Sequence, residues 1–439
     1  MTETWWCEHA WLGDGVADDV RITVDDGLIT SIETGCAAGG RLLRGMVIPG
    51  LANAHSHAFH RALRSHTQRG GGSFWTWREL MYDVAERLTP ESYLALARAA
   101  YAEMALAGIT AVGEFHYLHH GPGGVPYADP NAMGQALAAA AADAGVRLTL
   151  LDTCYLTASV DGGELQGPQR RFGDGDADSW AHRVDALRAD CKDHRHVLVG
   201  AAVHSVRAVP AQQMATVASW ADAGDTPLHI HSSEQVAEVE QCRATHGCTP
   251  TALMRERGVL GPRTTAVHAT HLTDQDVTDL RDSATGVCFC PTTERDLGDG
   301  IGPAAALIDG PGPFSLGTDS HAMIDLLEEA RAVELDERLA RQRRGAFSAA
   351  RLLNAATSDG HRALGWSGAG QITVDARADL VALDLTSIRT AGGGATAENV
   401  VFAATAADVT DVIVDGRHVV ADGRHTAIDV PRALAGAIS

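Results

Sequence analysis

Histidines recur in short groups along the chain. "ANAHSHAFH" carries His55, His57 and His60, and "PLHIHSSE" carries His229, His231 and Glu234. "AVHATH" carries His268 and His271, and "GTDSH" carries Asp319 and His321. Each group closes an apolar run. Imidazole nitrogens with a carboxylate oxygen are donors for a divalent transition metal, zinc before iron or manganese. One histidine alone is more often a hydrogen-bonded core residue or a solvated one, and this chain has 21. A single HxH is therefore a weak signal. Four groups that all sit at the ends of apolar runs are harder to reach by chance, and a metal-dependent activity is the stronger reading.

Such groups need a frame that brings run ends together. Eight apolar runs read as strands: "MVIPGLANAH", "TAVGEFH", "VRLTLLDTCY", "HVLVGAAVH", "TPLHIHSS", "TTAVHATH", "TGVCFCPTT" and "PFSLGTDSH". Helical stretches such as "TPESYLALARAAYAEMALAG" and "AMGQALAAAAADAG" lie between them, each with a glycine stop. Alternation of this kind predicts an α/β fold, a (β/α)8 barrel, whose active end is the C-terminal end of its strands. A doubly wound sheet is the alternative, but no GxGxxG follows the first strand. Residues two apart on a strand face one side, so His55 and His57 point together while His60 lies beyond the strand.

Both chain ends have another texture. "DVRITVDDGLITSIE" near the start, and "QITVDARADLVALDL" and "DVTDVIVDGRHVVADGRH" near the end, alternate and turn at Asp-Gly. Neither end can bury a core alone. A small β-sandwich built from both is expected, over 1–46 and 367–427, with the barrel over 47–366 and a tail over 428–439. Two connections are long: "RSHTQRGGGSFWTWREL" after the first strand and "ASVDGGELQGPQRRFGDGDADS" after the third. Long loops of this kind are often lids.

Net charge is −21, which opposes nucleic acid and anionic membranes as partners. An acidic small molecule would need local arginines. Lys192 is the only lysine, and no Gly-Lys pair exists, so a Walker phosphate loop is excluded. Eight cysteines form no CxxC pair, which favours reduced, buried thiols. No apolar run is long enough to span a bilayer. The acidic start "MTETWWCEHAWLGDG" lacks the regions of a secretion signal, so a cytoplasmic location is expected.

"AHSH", "HIHSSE", "VHATH" and "GTDSH", in that order, resemble the amidohydrolase superfamily. "HSHAFHRALR", "FWTWRELMY", "EFHYLHH", "QRRF", "CPTTERDLGDGI" and "TDSH" resemble its formimidoylglutamate deiminases, over nearly the whole chain. The resemblance implies His55, His57, His231 and Asp319 as metal ligands. His231 is preferred to His229 because the family motif places glutamate three residues after the ligand, where Glu234 stands. It also implies catalytic roles for Glu234, His268 and Asp319. Many relatives bridge two metals with a modified lysine at the end of strand four. Here that strand ends in "AAVHSVR", so one divalent ion, zinc foremost, is expected.

The implied activity is metal-dependent deimination of N-formimino-L-glutamate, in histidine degradation. A bound metal would make hydroxide available for attack on the formimino carbon, leaving N-formyl-L-glutamate and ammonia. Arg78 and Arg207 are the implied clamps for the acidic substrate, since guanidinium grips carboxylate with paired hydrogen bonds. Tyr117 and His204 are further contacts, and Arg170 or Arg171 of "QRRF" are weaker candidates. His60 is a substrate contact that departs from the family, many of whose members have glutamine there. The resemblance also suggests a homodimer. Three rivals stand beside this reading: a deaminase of nucleobases or aminated heterocycles, a cyclic-amide hydrolase such as an imidazolone-ring opener, and a silent metal-binding homologue.

Overall fold

The computed structural model describes residues 2–13, 15–68 and 72–438. Both termini contribute to one sheet. Its strands are β1 (Glu3–Trp11), β2 (Val16–Asp25), β3 (Leu28–Glu33) and β4 (Arg41–Pro49) from the start of the chain. The barrel strands come next: β5 (Leu51–Ser56), β6 (Ile109–His116), β7 (Arg147–Cys154) and β8 (Val197–Val203). They continue with β9 (Leu228–Ser232), β10 (Thr264–His268), β11 (Gly286–Phe289) and β12 (Phe314–Leu316). The chain then returns to the terminal sheet with β13 (Leu380–Leu383), β14 (Val409–Val414), β15 (Arg417–Ala421) and β16 (Arg424–His425).

The terminal sheet runs β16-β15-β14-β13-β4-β1-β2-β3. All its pairings are antiparallel except β1 with β4. Its core gathers Trp5, Cys7, Ile22, Leu43, Val47, Leu380 and Ile413 from both ends of the chain. The Asp-Gly turns form as expected. Asp26–Gly27, Asp415–Gly416 and Asp422–Gly423 all have positive φ at both residues, the backbone of a tight hairpin turn.

The eight strands β5 to β12 pair in parallel and in chain order. A single parallel bridge, Ser56 with Asp319, joins the two edges into a barrel. Helices lie between the strands. Pro90–Leu106 starts at Thr89, whose hydroxyl accepts from Ser92 N, and Ala132–Ala144 stops at Gly145 in the left-handed region. A last helix, Val430–Ile438, lies against Pro90–Leu106.

The run "MVIPGLANAH" divides at Gly50 into β4 and β5, so one apolar stretch serves both sheets. Met46 and Ile48 join the barrel core while Val47 joins the terminal core. A Cβ at Gly50 would collide with Thr110 and Asp379. The backbone therefore crosses between the sheets where only glycine fits.

The first long connection is largely helical. Ala58–Leu63 forms a short 3-10 helix and Phe74–Arg87 an α-helix. Arg69, Gly70 and Gly71 of that connection lie outside the described residues.

Candidate metal centre and its cavity

The C-terminal ends of the barrel strands bring the histidine groups together. β5 delivers His55 and His57, β9 delivers His231, β10 ends at His268, and Asp319 follows β12. The Nε2 atoms of His55 and His57 each lie 3.4 Å from Asp319 Oδ1. His231 Nε2 lies 3.1 Å from His55 Nε2. Donor atoms of His55, His57 and Asp319 lie within 4.8 Å of one another, as do those of His55, His231 and His268. His229 sits one layer deeper, 3.1 Å from the Ala363 carbonyl.

The chemistry of this donor set fits a cation. His57 Nδ1 donates to the Phe115 carbonyl at 2.9 Å, which leaves the lone pair of Nε2 facing the other ligands. Burial lowers the pKa of His55 and His231, and burial with the neighbouring His55 lowers His57 to about 3. These imidazoles are thus neutral donors. Burial alone would raise the Asp319 carboxyl, yet the imidazoles that face it, His55, His268 and His57, hold it well below the usual range. Imidazole nitrogens packed at 3.1–3.4 Å around one another and one carboxylate form a donor set suited to a divalent transition metal.

His268 behaves differently. Burial would lower it, but Glu234, Glu294 and Asp319 raise it well above the ordinary histidine value. Its Nδ1 lies 3.4 Å from Glu294, which also accepts from Cys290 N at 2.9 Å. Its Nε2 stands 3.9 Å from both Glu234 and Asp319. His268, Asp319 and His321 all have positive φ. Such backbone costs about 1–3 kcal/mol per residue and clusters at functional sites.

A cavity opens above these groups. Of the residues singled out in the sequence, His57, His60, Arg78, Tyr117, His204, Arg207, His231, Glu234, His268 and Asp319 line it. His60 Nε2 lies 3.0 Å from Tyr117 Oη. Arg207 pairs with Glu238 at 2.8 Å and lies 3.4 Å from Glu234. Arg78 lies over the rings of Trp75 and Tyr82, and among the described residues no carboxylate pairs with it.

Arg170 and Arg171 do not reach the cavity. Arg171 is buried and donates to the carbonyls of His120, Ala85 and Leu88, so it fixes the third connection in place. Arg170 donates to the Leu165 carbonyl at the surface.

Several lining residues were not foreseen. Phe74, Trp77, Met81 and Tyr82 share one face of the helix Phe74–Arg87 with Arg78, which was expected there. Their spacing of three and four was a readable helical signal. Tyr155 and Phe172 add further aromatic wall, and Glu238 holds Arg207. No local pattern marks Glu238, because its partner comes from another element.

A second buried group, His116, His119 and Asp152, also has cation-site spacing. There Asp152 already takes two bonds from Arg183 and one from Trp180. The guanidinium supplies the countercharge, and the group acts as a brace.

Fold and site together define a barrel hydrolase, and the chain belongs to the amidohydrolase family, whose sequence model matches residues 46–419. A model described as the N-terminal domain of formimidoylglutamate deiminase HutF matches residues 5–41. Formimidoylglutamate deiminase of Pseudomonas aeruginosa is 39% identical over 424 residues, covering 93% of each chain. The 8-oxoguanine deaminase of the same organism is 30% identical and covers 87% of this chain and 83% of its own. Among solved structures, an amidohydrolase from Brucella melitensis superposes with a TM-score of 0.93 at 35% identity, covering 99% of both chains. An adenosine deaminase from Xanthomonas campestris with bound zinc gives 0.86 at 25% identity, covering 99% of this chain and 96% of its own.

Proposed function

We propose that this protein hydrolyses N-formimino-L-glutamate to N-formyl-L-glutamate and ammonia, as a formimidoylglutamate deiminase of histidine degradation. The observation that carries the reading is one cavity holding both the His/Asp cluster and two guanidinium groups, Arg78 and Arg207. The relative at 39% identity over nearly the whole chain supports it. His55, His57, His231 and Asp319 would hold one divalent ion, zinc by donor type. A bound ion of this kind makes hydroxide available from water near neutral pH.

The chain's own groups then divide the work. Asp319 Oδ2, on the side away from His55 and His57, takes the proton of the attacking water. Glu234 moves a proton to the formimino nitrogen, which departs as ammonia when the carbon–nitrogen bond breaks. His268 stabilises charge developing at the reacting carbon. Arg78 and Arg207 bind the two carboxylates of the substrate. His60 and Tyr117, already bonded to each other, and His204 complete the wall around it. The reading includes a cytoplasmic location and a homodimer, both expected from the sequence.

The aromatic wall of Phe74, Trp77, Tyr155 and Phe172 favours a second reading, a deaminase of a flat heterocycle. One experiment separates the two: ammonia release from N-formimino-L-glutamate beside a panel of nucleobases, with and without chelator. Chelator-sensitive release from the formimino compound alone is expected. Release only from a nucleobase would reverse the assignment, and no release from metal-replete protein would remove both.

A further inference from the structure

Three of the four proposed ligands lie on the weakest line of the barrel. β12 has three residues and meets β5 at one bridge, Ser56 with Asp319. The backbone bonds there are Asp319 N to the His55 carbonyl at 3.0 Å and His57 N to the Asp319 carbonyl at 3.4 Å. Other neighbouring strands of the barrel share longer ladders, such as the seven residue pairs between β7 and β8. Yet His55, His57 and Asp319 must keep fixed relative positions if they are to share one ion.

Side chains supply what the backbone lacks. Glu114 of β6 is fully buried and points at this line. Its Oε1 accepts from Ala58 N at 2.7 Å and its Oε2 from the Ser56 hydroxyl at 3.0 Å. Ser56 and Ala58 are the residues on either side of His57. The Ser56 oxygen in turn lies 3.1 Å from His321 Nε2, two residues beyond Asp319. One carboxylate therefore grips both neighbours of a ligand and, through a hydroxyl, the segment that carries another. Asn53 adds a second tie, accepting from Thr318 N at 2.9 Å and donating to the Thr318 hydroxyl at 2.7 Å. None of these groups reaches the cavity or takes part in the chemistry above.

We propose that Glu114 is a positioning residue for the metal centre, holding His57 in register with Asp319 across the barrel seam. A buried carboxylate that only filled space would be served as well by a neutral isostere. Here both oxygens accept from groups that must be fixed, and an amide can accept through only one of its two ends. Partners that orient ligands typically change metal affinity 10–100-fold when lost. The inference rests on the ligand assignment proposed above, and its test separates the two.

The test uses full-length, zinc-loaded protein. Zinc affinity is measured by chelator competition in wild type, Glu114→Gln and Ser56→Ala, beside the melting temperature of each metal-free form. Glu114→Gln is expected to lose about 10–100-fold in zinc affinity. Ser56→Ala, which keeps the bond to Ala58, is expected to lose less. Zinc should therefore raise the melting temperature of both variants less than that of wild type. The visible bands of the cobalt-substituted variants should also shift, because ligand geometry changes. A purely structural Glu114 would lower the metal-free melting temperature and leave affinity and bands alone. That result in either variant would overturn the inference, and Ser56→Ala decides it if Glu114→Gln does not fold. Wild type that binds no zinc would instead remove the ligand assignment itself.

Discussion

At the scale of single residues, Arg78 and Arg207 have similar chemistry and different surroundings. Arg207 is tied to Glu238 and approaches Glu234, and burial is outweighed by these two carboxylates, so its pKa is raised. Part of its binding capacity is already spent within the protein. Arg78 is held by aromatic faces, which orient a guanidinium without using its hydrogen bonds. Under the proposed function, Arg78 is therefore the stronger anchor for a substrate carboxylate. Arg78→Met should raise KM for N-formimino-L-glutamate about tenfold to hundredfold, from about 1.5–3 kcal/mol for a charge-assisted bond. The turnover number should change far less. An unchanged KM in steady-state assays would take Arg78 out of substrate binding. The meeting of His55, His57, His231 and Asp319 was legible because each stands in a short motif at the end of an apolar run. Glu114, Glu238 and Glu294 were not legible. Each is an ordinary glutamate in sequence and becomes informative only beside Ser56, Arg207 or His268.

At the scale of elements, the connections after β6 and β7 are fixed by a buried charge network. Arg183 of the helix Ala177–Cys191 bonds Asp152 of β7 and Asp174 of the following connection, and His120 lies 3.0 Å from Asp174. Burial would raise both carboxyls. The His120 bond and Arg183 lower Asp174, and Arg183 with His119 lowers Asp152. A folded-state pKa below the unfolded one gives stability that is complete above the ordinary carboxylate range and lost as pH falls through the folded value. The denaturation midpoint should therefore fall progressively below about pH 5. Arg183→Met should lower the midpoint at pH 7 and flatten that fall, because uncompensated carboxyls take up protons more readily. Parallel midpoint-against-pH curves for the two proteins would refute this account. The barrel strands themselves were readable as apolar runs bounded by glycine and polar turns. The helix Phe74–Arg87 was hidden inside a stretch that glycines made look like a loop, although its stripe of Phe74, Trp77, Met81 and Tyr82 had helical spacing.

At the scale of the molecule, the terminal sheet and the barrel are joined by more than apolar contact. Arg147 at the start of β7 is fully buried. It bonds Asp379, just before β13, and Asp415, in the turn after β14, at 2.7 Å to the latter. Arg377 shares Asp415 at 2.9 Å, and Asp379 also accepts from the Thr110 hydroxyl. Burial lowers Arg147 to about 10, which leaves it charged at neutral pH. The sequence announced two textures and their order, but not this joint, because Arg147 stands 268 residues before Asp415 and no member carries a local signal. Removing one partner of a buried charge group strands the others, at a cost of about 3–5 kcal/mol. Arg147→Met should lower the urea midpoint accordingly. Adding Asp379→Asn should recover part of the loss, since one stranded charge is then gone. Turnover of the folded variant should stay close to wild type, because Arg147 starts its strand, at the barrel end opposite the proposed metal ligands. If the single variant melted in urea where wild type does, the two sheets would owe their union to the apolar contacts of Met46, Ile48 and Val381 and not to this charge group.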